Sequence, residues 1–114
     1  MAKLKAAPKN FAEANQILGN RGSIRLGNNT YLLRQDLQNI TVRLHNTDIV
    51  RFHADGRVNL FTAGYRTVTT KDRINQFIAG AVYQKNWGWF FAPRVDGRTA
   101  FEQSSIFEEG MDAR

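Results

Sequence analysis

Arginine side chains recur between residues 39 and 61, in a segment where polar and apolar residues alternate. Alternate side chains of a β-strand share one face, so the pattern predicts a sheet with one apolar and one polar face. Arginine holds phosphate through paired hydrogen bonds, asparagine bonds to bases or backbone, and an aromatic ring stacks on a base. We therefore predict a nucleic-acid-binding face, with an ordinary solvated sheet face as the alternative. The residues concerned are Arg43, Arg51, Arg57, Asn59 and Phe61.

The register of these strands follows from two predicted turns. A three-residue loop at 54–56, with its glycine in the left-handed conformation, sets Arg51 opposite Asn59. A second turn at 46–48 then sets Arg43 opposite Arg51. Like charges directly opposite each other destabilise a sheet, so this juxtaposition indicates an anionic partner on that face.

Donor groups also crowd the segment 64–73, at the start of a predicted helix. Arg66, Lys71 and Arg73 lie there among threonines. Backbone N–H groups at a helix N-terminus, with Lys71 beside them, suit a phosphate. The alternative is structural, because Thr69 followed by an acid three residues later is a helix-capping pattern.

Two histidines, His45 and His53, accompany Asp48 and Asp55 near the predicted turns. Two imidazoles could act as acid and base in metal-independent RNA cleavage, or bind a transition metal together with a carboxylate. The predicted register separates the rings by two rows, which is too far for one metal, and aspartate is a typical turn residue. We therefore predict a binding protein rather than an enzyme, with no metal and no cofactor. Nuclease activity through the two histidines stays open as an alternative.

Charge and aromatic residues divide the chain into two parts. Residues 1–95 hold 14 Lys and Arg against five acidic residues, a net charge of +9, whereas residues 96–114 carry −3. We predict a single basic domain over 1–95 and an acidic C-terminal tail over 96–114 that could dock on it. A basic domain attracts phosphate backbones or acidic proteins. Exposed aromatics and the tail offer a second binding surface, for which the candidates are Trp87, Trp89, Phe107, Glu108 and Glu109.

The elements that must position these residues indicate an α+β fold. The spacing predicts one short helix, capped by Asn10 and ended by Gly19, and a second helix that ends at Gly80. The remaining segments predict a twisted, mainly antiparallel sheet of about six or seven strands, in hairpins and a meander, with both helices on one face. The absence of cysteine excludes disulfides, and no apolar run reaches membrane-spanning length. We expect a cytoplasmic protein without a membrane partner.

Three segments carry a family resemblance: VRLHNTDIVRFHADGRVNLFTAGYRTVTTKDRIN, VYQKNWGWFF and FEEGM. Together they resemble a family of small accessory proteins of tailed phages, including cyanophages, over residues 27–111. The resemblance implies a phage or prophage accessory protein in the host cytoplasm and supplies no activity or catalytic residue. The sequence departs from the family pattern at Trp87, where a small turn residue is usual.

Two functions of different classes remain after these observations. The leading hypothesis is an accessory protein that binds phosphates of single-stranded DNA or RNA through the basic sheet face. The alternative is a protein-binding inhibitor or modulator of host machinery, such as a defence or nucleic-acid-processing complex, which uses the exposed aromatics and the acidic tail. DNA or RNA preference, the identity of a host partner and the oligomeric state are not predicted.

Overall fold

A computed structural model describes residues 4–114 of the chain. These residues form two α-helices, one 3₁₀ turn and ten β-strands. The helices are α1 (Phe11–Leu18) and α2 (Val68–Asn75), and the 3₁₀ turn is Phe101–Gln103. The first five strands are β1 (Ser23–Gly27), β2 (Thr30–Asp36), β3 (Asn39–Leu44), β4 (Thr47–His53) and β5 (Val58–Leu60). The others are β6 (Ala81–Lys85), β7 (Gly88–Ala92), β8 (Arg94–Val95), β9 (Arg98–Thr99) and β10 (Ser105–Ile106).

The strands are divided among three antiparallel sheets. The largest has five strands in the order β1-β2-β3-β4-β5, the second has the order β10-β7-β6, and the third pairs β8 with β9. The predicted α+β class, with mainly antiparallel strands and two helices, is confirmed. The predicted single sheet of six or seven strands is wrong, because the chain leaves the first sheet after β5 and builds separate sheets once α2 has ended. None of the helices in residues 4–114 is long and apolar enough to cross a membrane.

Helix α1 begins and ends as its sequence predicts. The Asn10 side chain accepts a hydrogen bond from the Glu13 N–H at 2.9 Å, which caps the first turn. Gly19 follows the last turn with φ +58°, a conformation that suits glycine. Ala14 and Leu18 are fully buried against the inner face of the five-stranded sheet.

The cap of helix α2 lies two residues before the predicted cap. Thr67, not Thr69, has the extended backbone of a cap, and its hydroxyl accepts from the Thr70 N–H at 3.1 Å. Thr69 is the second residue of the helix and cannot cap it, because its own backbone is helical. The capping prediction at Thr69 is therefore wrong. Ile74 is buried in the core, as the apolar spacing of the helix requires.

One of the two predicted registers is confirmed and the other is wrong. Arg51 lies opposite Asn59, as the 54–56 loop predicts. Arg43, however, lies opposite Asp48 rather than Arg51. The turn has only two residues, 45–46. The pairing then shifts between Val42 and Arg43 of β3, which leaves Ile49 of β4 as a bulge without a partner on β3. The bulge places Ile49 in the core and brings Arg43 to an acidic partner, which removes the predicted repulsion.

The C-terminal segment connects the two larger sheets. Strand β10 pairs with β7 of the three-stranded sheet. Asp112 then forms a bridge with Asn59 of β5, and the Ala113 N–H donates to the Val58 carbonyl at 2.7 Å. Phe107, between these two contacts, is buried. Residues near the C-terminus are therefore part of the core that unites the sheets.

Candidate nucleic-acid interface

The outer face of the five-stranded sheet is the face opposite to α1. Its first row runs across four strands as Arg25, Tyr31, Arg43 and Asp48, each directly opposite the next. Its second row contains Leu33, Thr41, Arg51 and Asn59. Neighbouring strands lie about 4.8 Å apart, so the side chains of one row are in reach of each other. Thr41 of the second row is itself fully buried, and the Gln35 side chain bonds to its hydroxyl. We use the name outer face for these two rows together with Phe61.

Arg51 is the central cation of the outer face. Its guanidinium lies 5.2 Å from the centroid of the Phe61 ring. No carboxylate of residues 4–114 lies within ion-pair distance of Arg51, unlike several other arginines. Stacking on the ring holds the guanidinium in place without cancelling its charge. Arg51 is therefore placed to meet an anion from solvent.

Arg43 and Arg57 already have acidic partners. The Nε atom of Arg43 lies 2.7 Å from Asp48, and that of Arg57 lies 2.9 Å from Asp55. The hydrogen bond and charge of Asp48 raise the pKa of Arg43. The backbone N–H of Arg57, helped by its guanidinium, lowers the pKa of Asp55. These half-exposed pairs reduce the charge that either arginine presents to a phosphate, although exposed ion pairs are weak enough to exchange partners.

Arg25 and Tyr31 belong to the outer face but are not among the site residues predicted from the sequence. Arg25 is exposed, and within the described residues 4–114 its guanidinium donates only to the Gly27 carbonyl, at 3.1 Å. The side chain of Tyr31 is 40% exposed and lies directly between Arg25 and Arg43. The signal was present in the sequence, because the hairpin around Asn28 and Asn29 has the same alternation as the later strands.

Asn59 and His53 bond to each other and to the C-terminal segment. The Asn59 side-chain oxygen pairs with the His53 ring, and its amide donates to the Gly110 carbonyl at 3.0 Å. Asn59 is therefore less available to a ligand than its place in the second row indicates. His45 lies in the turn at the opposite end of the β3–β4 hairpin from His53. Residues 4–114 contain no cluster of three His, Asp or Glu side chains that could hold a metal.

The remaining predicted phosphate ligands lie outside the outer face. Arg66 packs over the Phe107 and Trp89 rings, at 5.1 and 5.9 Å from their centroids. Arg73 is only 3% exposed and donates toward the Asn28 carbonyl at 3.5 Å. Lys71 is half-buried on α2. The structure thus brings together Arg43, Arg51, Asn59 and Phe61, whereas Arg66, Lys71 and Arg73 belong to neither row of the outer face.

The aromatic candidates of the second surface fall into two groups. Trp89 and Phe107 are 4% and 2% exposed and pack edge to face, with ring centroids 5.6 Å apart. They form part of the core and offer no surface to a partner. Trp87 is 95% exposed at the tip of the β6–β7 hairpin, with φ +69°. A bulky residue in this left-handed conformation is unusual.

The acidic candidates Glu108 and Glu109 also differ. Glu109 accepts hydrogen bonds from the Thr62 N–H and hydroxyl, both at 2.6 Å, and from the Ala63 N–H at 3.0 Å. Burial alone raises the pKa of Glu109, but these bonds and the nearby Arg66 charge outweigh it and lower the pKa. Glu108 is exposed, and its side chain has no hydrogen-bond or ion-pair partner in the part of the chain that the structure describes.

Comparison with known protein families gives a match over nearly the whole chain. Residues 7–114 match the model of a family described as the Kyanoviridae Gp96 protein. No curated protein and no solved structure matches the chain. The matched range contains every candidate residue discussed above, and it agrees with the phage family that the sequence resembles.

Proposed function

The chain belongs to the Kyanoviridae Gp96 protein family, a family of phage proteins, and we propose that it binds single-stranded nucleic acid through its outer face. The observation that carries the proposal is the row Arg25, Tyr31, Arg43, in which a partly exposed tyrosine lies between two arginines on neighbouring strands. A base stacked on the Tyr31 ring has a cation on either side for its flanking phosphates.

The second row repeats this combination of groups. Arg51 supplies a cation without a carboxylate partner in residues 4–114, and Phe61 supplies an aromatic ring beside it. Arg25 and Arg43 are two strand spacings apart, about 10 Å, so the two rows present several phosphate contacts over a small area. Stacking requires bases with exposed faces, which a single strand provides and a duplex does not. The proposal is therefore for DNA or RNA in single-stranded form.

The experiment that tests this function removes the two arginines of the outer face that have no acidic partner. The double variant Arg25→Ala with Arg51→Ala is expected to bind a labelled oligo-dT about 10- to 1000-fold more weakly in fluorescence anisotropy. The slope of log affinity against log salt is expected to fall by roughly 1.4, because each lost single-strand phosphate contact removes about 0.7. Circular dichroism checks that the fold is retained.

A matched control removes the same charge from elsewhere on the surface. Lys85 and Arg94 are exposed and lie outside the outer face. The double variant Lys85→Ala with Arg94→Ala is expected to bind within about threefold of the wild-type protein, since only the general field changes. Equal losses in both double variants would mean that net charge, not the outer face, determines affinity. No binding by the wild-type protein would end the proposal.

Trp87 favours a second function, binding to a host protein as an inhibitor or modulator. An indole that is 95% exposed in a left-handed turn is available as the kind of aromatic anchor that protein interfaces use. Pull-down from nuclease-treated host lysate tests this candidate. If a host protein binds through Trp87, the Arg25→Ala, Arg51→Ala variant should still capture it and the Trp87→Gly variant should not. A partner that both variants retain would argue against this function.

A further inference from the structure

We infer that a cleft beside the β3–β4 turn takes one unstacked nucleobase. The cleft has a volume of about 470 Å³. One wall is the turn, with His45 and Asn46, and the other is the segment entering α2, with Tyr65 and Thr69. Ile49, which is fully buried, contributes to its apolar base. This volume is within the range of sites for small planar ligands.

The lining of the cleft suits a neutral, flat ligand with a hydrogen-bonding edge. Among residues 4–114, no Lys, Arg, Asp or Glu lines it. Its polar groups are an imidazole, a phenol, an amide and threonine hydroxyls, which offer both donors and acceptors. The rings of His45 and Tyr65 can stack on a flat ligand, and the apolar base matches its faces. A nucleobase combines these properties, whereas a bare phosphate would find no cation.

Two of the threonines that line the cleft, Thr67 and Thr70, bond to each other, but four of its other polar side chains are uncommitted, and its wall is preformed. Within residues 4–114, the side chains of His45, Asn46, Tyr65 and Thr69 make no hydrogen bond to one another or to any other residue. The His45 backbone is fixed, since its N–H donates to the Asn29 carbonyl at 2.8 Å. A ligand therefore does not have to break internal hydrogen bonds or order the turn before it binds.

The position of the cleft connects it to the outer face. Leu44 lines the cleft and directly follows Arg43, the last residue of the row Arg25, Tyr31, Arg43 before the turn. A single-stranded nucleic acid that crosses this row and passes round the end of the sheet can place its next base in the cleft. The choice of a nucleobase rests on the proposed function, but the cleft is a separate site and can be tested separately.

The first experiment uses free nucleosides, which carry no phosphate and do not need the outer face. Adenosine, cytidine and thymidine are titrated into labelled protein and followed by NMR. At least one is expected to shift the signals of His45, Tyr65 and Thr69. The double variant Tyr65→Ala with Thr69→Val is expected to weaken that binding about 5- to 100-fold, because it removes a stacking ring and a hydroxyl. Val68→Ala, an exposed neighbour outside the lining, is the matched control and should not change it.

The second experiment uses oligonucleotides to find the source of the base. Affinities for oligo-dA, oligo-dC and oligo-dT are compared in the wild-type protein, the cleft double variant and the Arg25→Ala, Arg51→Ala variant. If the base in the cleft belongs to a bound oligonucleotide, the cleft variant should lose the preference among bases. The arginine variant should then lose affinity for all three oligonucleotides and still bind nucleosides. Nucleoside binding without any oligonucleotide binding would assign the cleft to a free nucleoside and reject the outer-face proposal.

Two results would overturn the inference while leaving the proposed function intact. One is tight oligonucleotide binding with no nucleoside shift and no change of base preference in the cleft variant. The other is a shift of the same signals by methyl glucoside rather than by nucleosides, which would make the cleft a carbohydrate site. Circular dichroism checks that Tyr65→Ala with Thr69→Val retains the fold. The single variant Thr69→Ser keeps the hydroxyl and should therefore bind nucleosides as the wild-type protein does.

Discussion

The two larger sheets present different chemistry to solvent. The outer face of the five-stranded sheet carries arginines and the partly exposed Tyr31, whose ring has no aromatic partner in residues 4–114. The exposed face of the three-stranded sheet carries rings that contact each other. Tyr83 lies 5.7 Å from Phe90 and 5.4 Å from Phe101, and its hydroxyl donates to Ser104 at 2.6 Å.

This difference shows that aromatic content alone is a poor guide to a binding surface. The rings of the three-stranded sheet already satisfy one another, so they need no external partner. On the outer face, within residues 4–114, Tyr31 has no ring partner and Arg25 and Arg51 have no carboxylate partner, so these groups can still bind an external ligand. Trp87 is the exception on the second sheet, because it projects beyond the ring cluster.

The largest expected effect concerns the two phenylalanines of the C-terminal segment. Phe107 is 2% exposed and packs against Trp89, whereas Phe101 is 57% exposed. Phe107→Ala is expected to destabilise the fold by about 3–5 kcal/mol, because it empties a core position. Phe101→Ala should cost about 1 kcal/mol or less. Urea unfolding measures the loss of unfolding free energy in both variants. Equal losses would mean that Phe107 does not belong to the core more than Phe101 does.

An intermediate effect is expected at the connection between the sheets. Glu109→Gln weakens the charge-assisted hydrogen bonds to Thr62 and Ala63 and is expected to cost about 1–3 kcal/mol. The adjacent Glu108→Gln has the same change of charge without those bonds and should stay within about 0.5 kcal/mol of the wild-type protein. Thermal unfolding at neutral pH compares them. A similar loss in both variants would point to net charge rather than to the Glu109 contacts.

The Glu109 contribution is expected to depend on pH in a defined direction. Folding lowers its pKa below the ordinary value of 4.5. The stabilisation is therefore fully present above about pH 4.5 and is lost as the pH falls through the lower, folded-state pKa. The difference in unfolding free energy between wild-type protein and Glu109→Gln should shrink over that acidic range. A difference that stays constant down to pH 2 would show that the carboxylate charge is not the cause.

The smallest expected effect is a gain. Trp87 has φ +69°, and the preceding Asn86 has φ +50°, so both turn residues are left-handed. Trp87→Gly is expected to stabilise the fold by about 1 kcal/mol, because glycine adopts this conformation without strain. Oligo-dT affinity should not change, since Trp87 is not on the outer face. A loss of stability would instead show that the indole packs on the hairpin, and a loss of affinity would extend the nucleic-acid surface to the second sheet.

Local signals in the sequence predicted the elements that depend on a few neighbouring residues. The cap at Asn10, the stop at Gly19 and the 54–56 loop each follow from one residue's conformational preference, and the structure has all three. The α+β class follows from alternation and helical spacing in the same way. The division of the strands among three sheets was not predictable, because it depends on packing between residues far apart in sequence.

The error at the β3–β4 turn has a specific physical cause. The sequence His-Asn-Thr-Asp allows a two-residue turn at 45–46 or a three-residue turn at 46–48, and residue preferences do not separate them. The shorter turn with a bulge buries Ile49 and pairs Arg43 with Asp48. Both gains depend on the opposite strand, so the choice could be made only after the partners of β3 and β4 were known. Arg25 and Tyr31, the site residues that were not predicted, could be placed on the outer face only with the same knowledge of the cross-strand register.

The edge of the three-stranded sheet has a consequence for self-assembly. The Asn75 amide donates to the Val82 carbonyl at 2.9 Å, and its oxygen accepts from the Val82 N–H at 2.7 Å. A side chain thus occupies two of the backbone groups through which another copy of β6 would add to the sheet. Exposed strand edges are templates for polymerisation. A single asparagine at this position therefore blocks strand addition at Val82 and opposes fibril-like growth at high protein concentration.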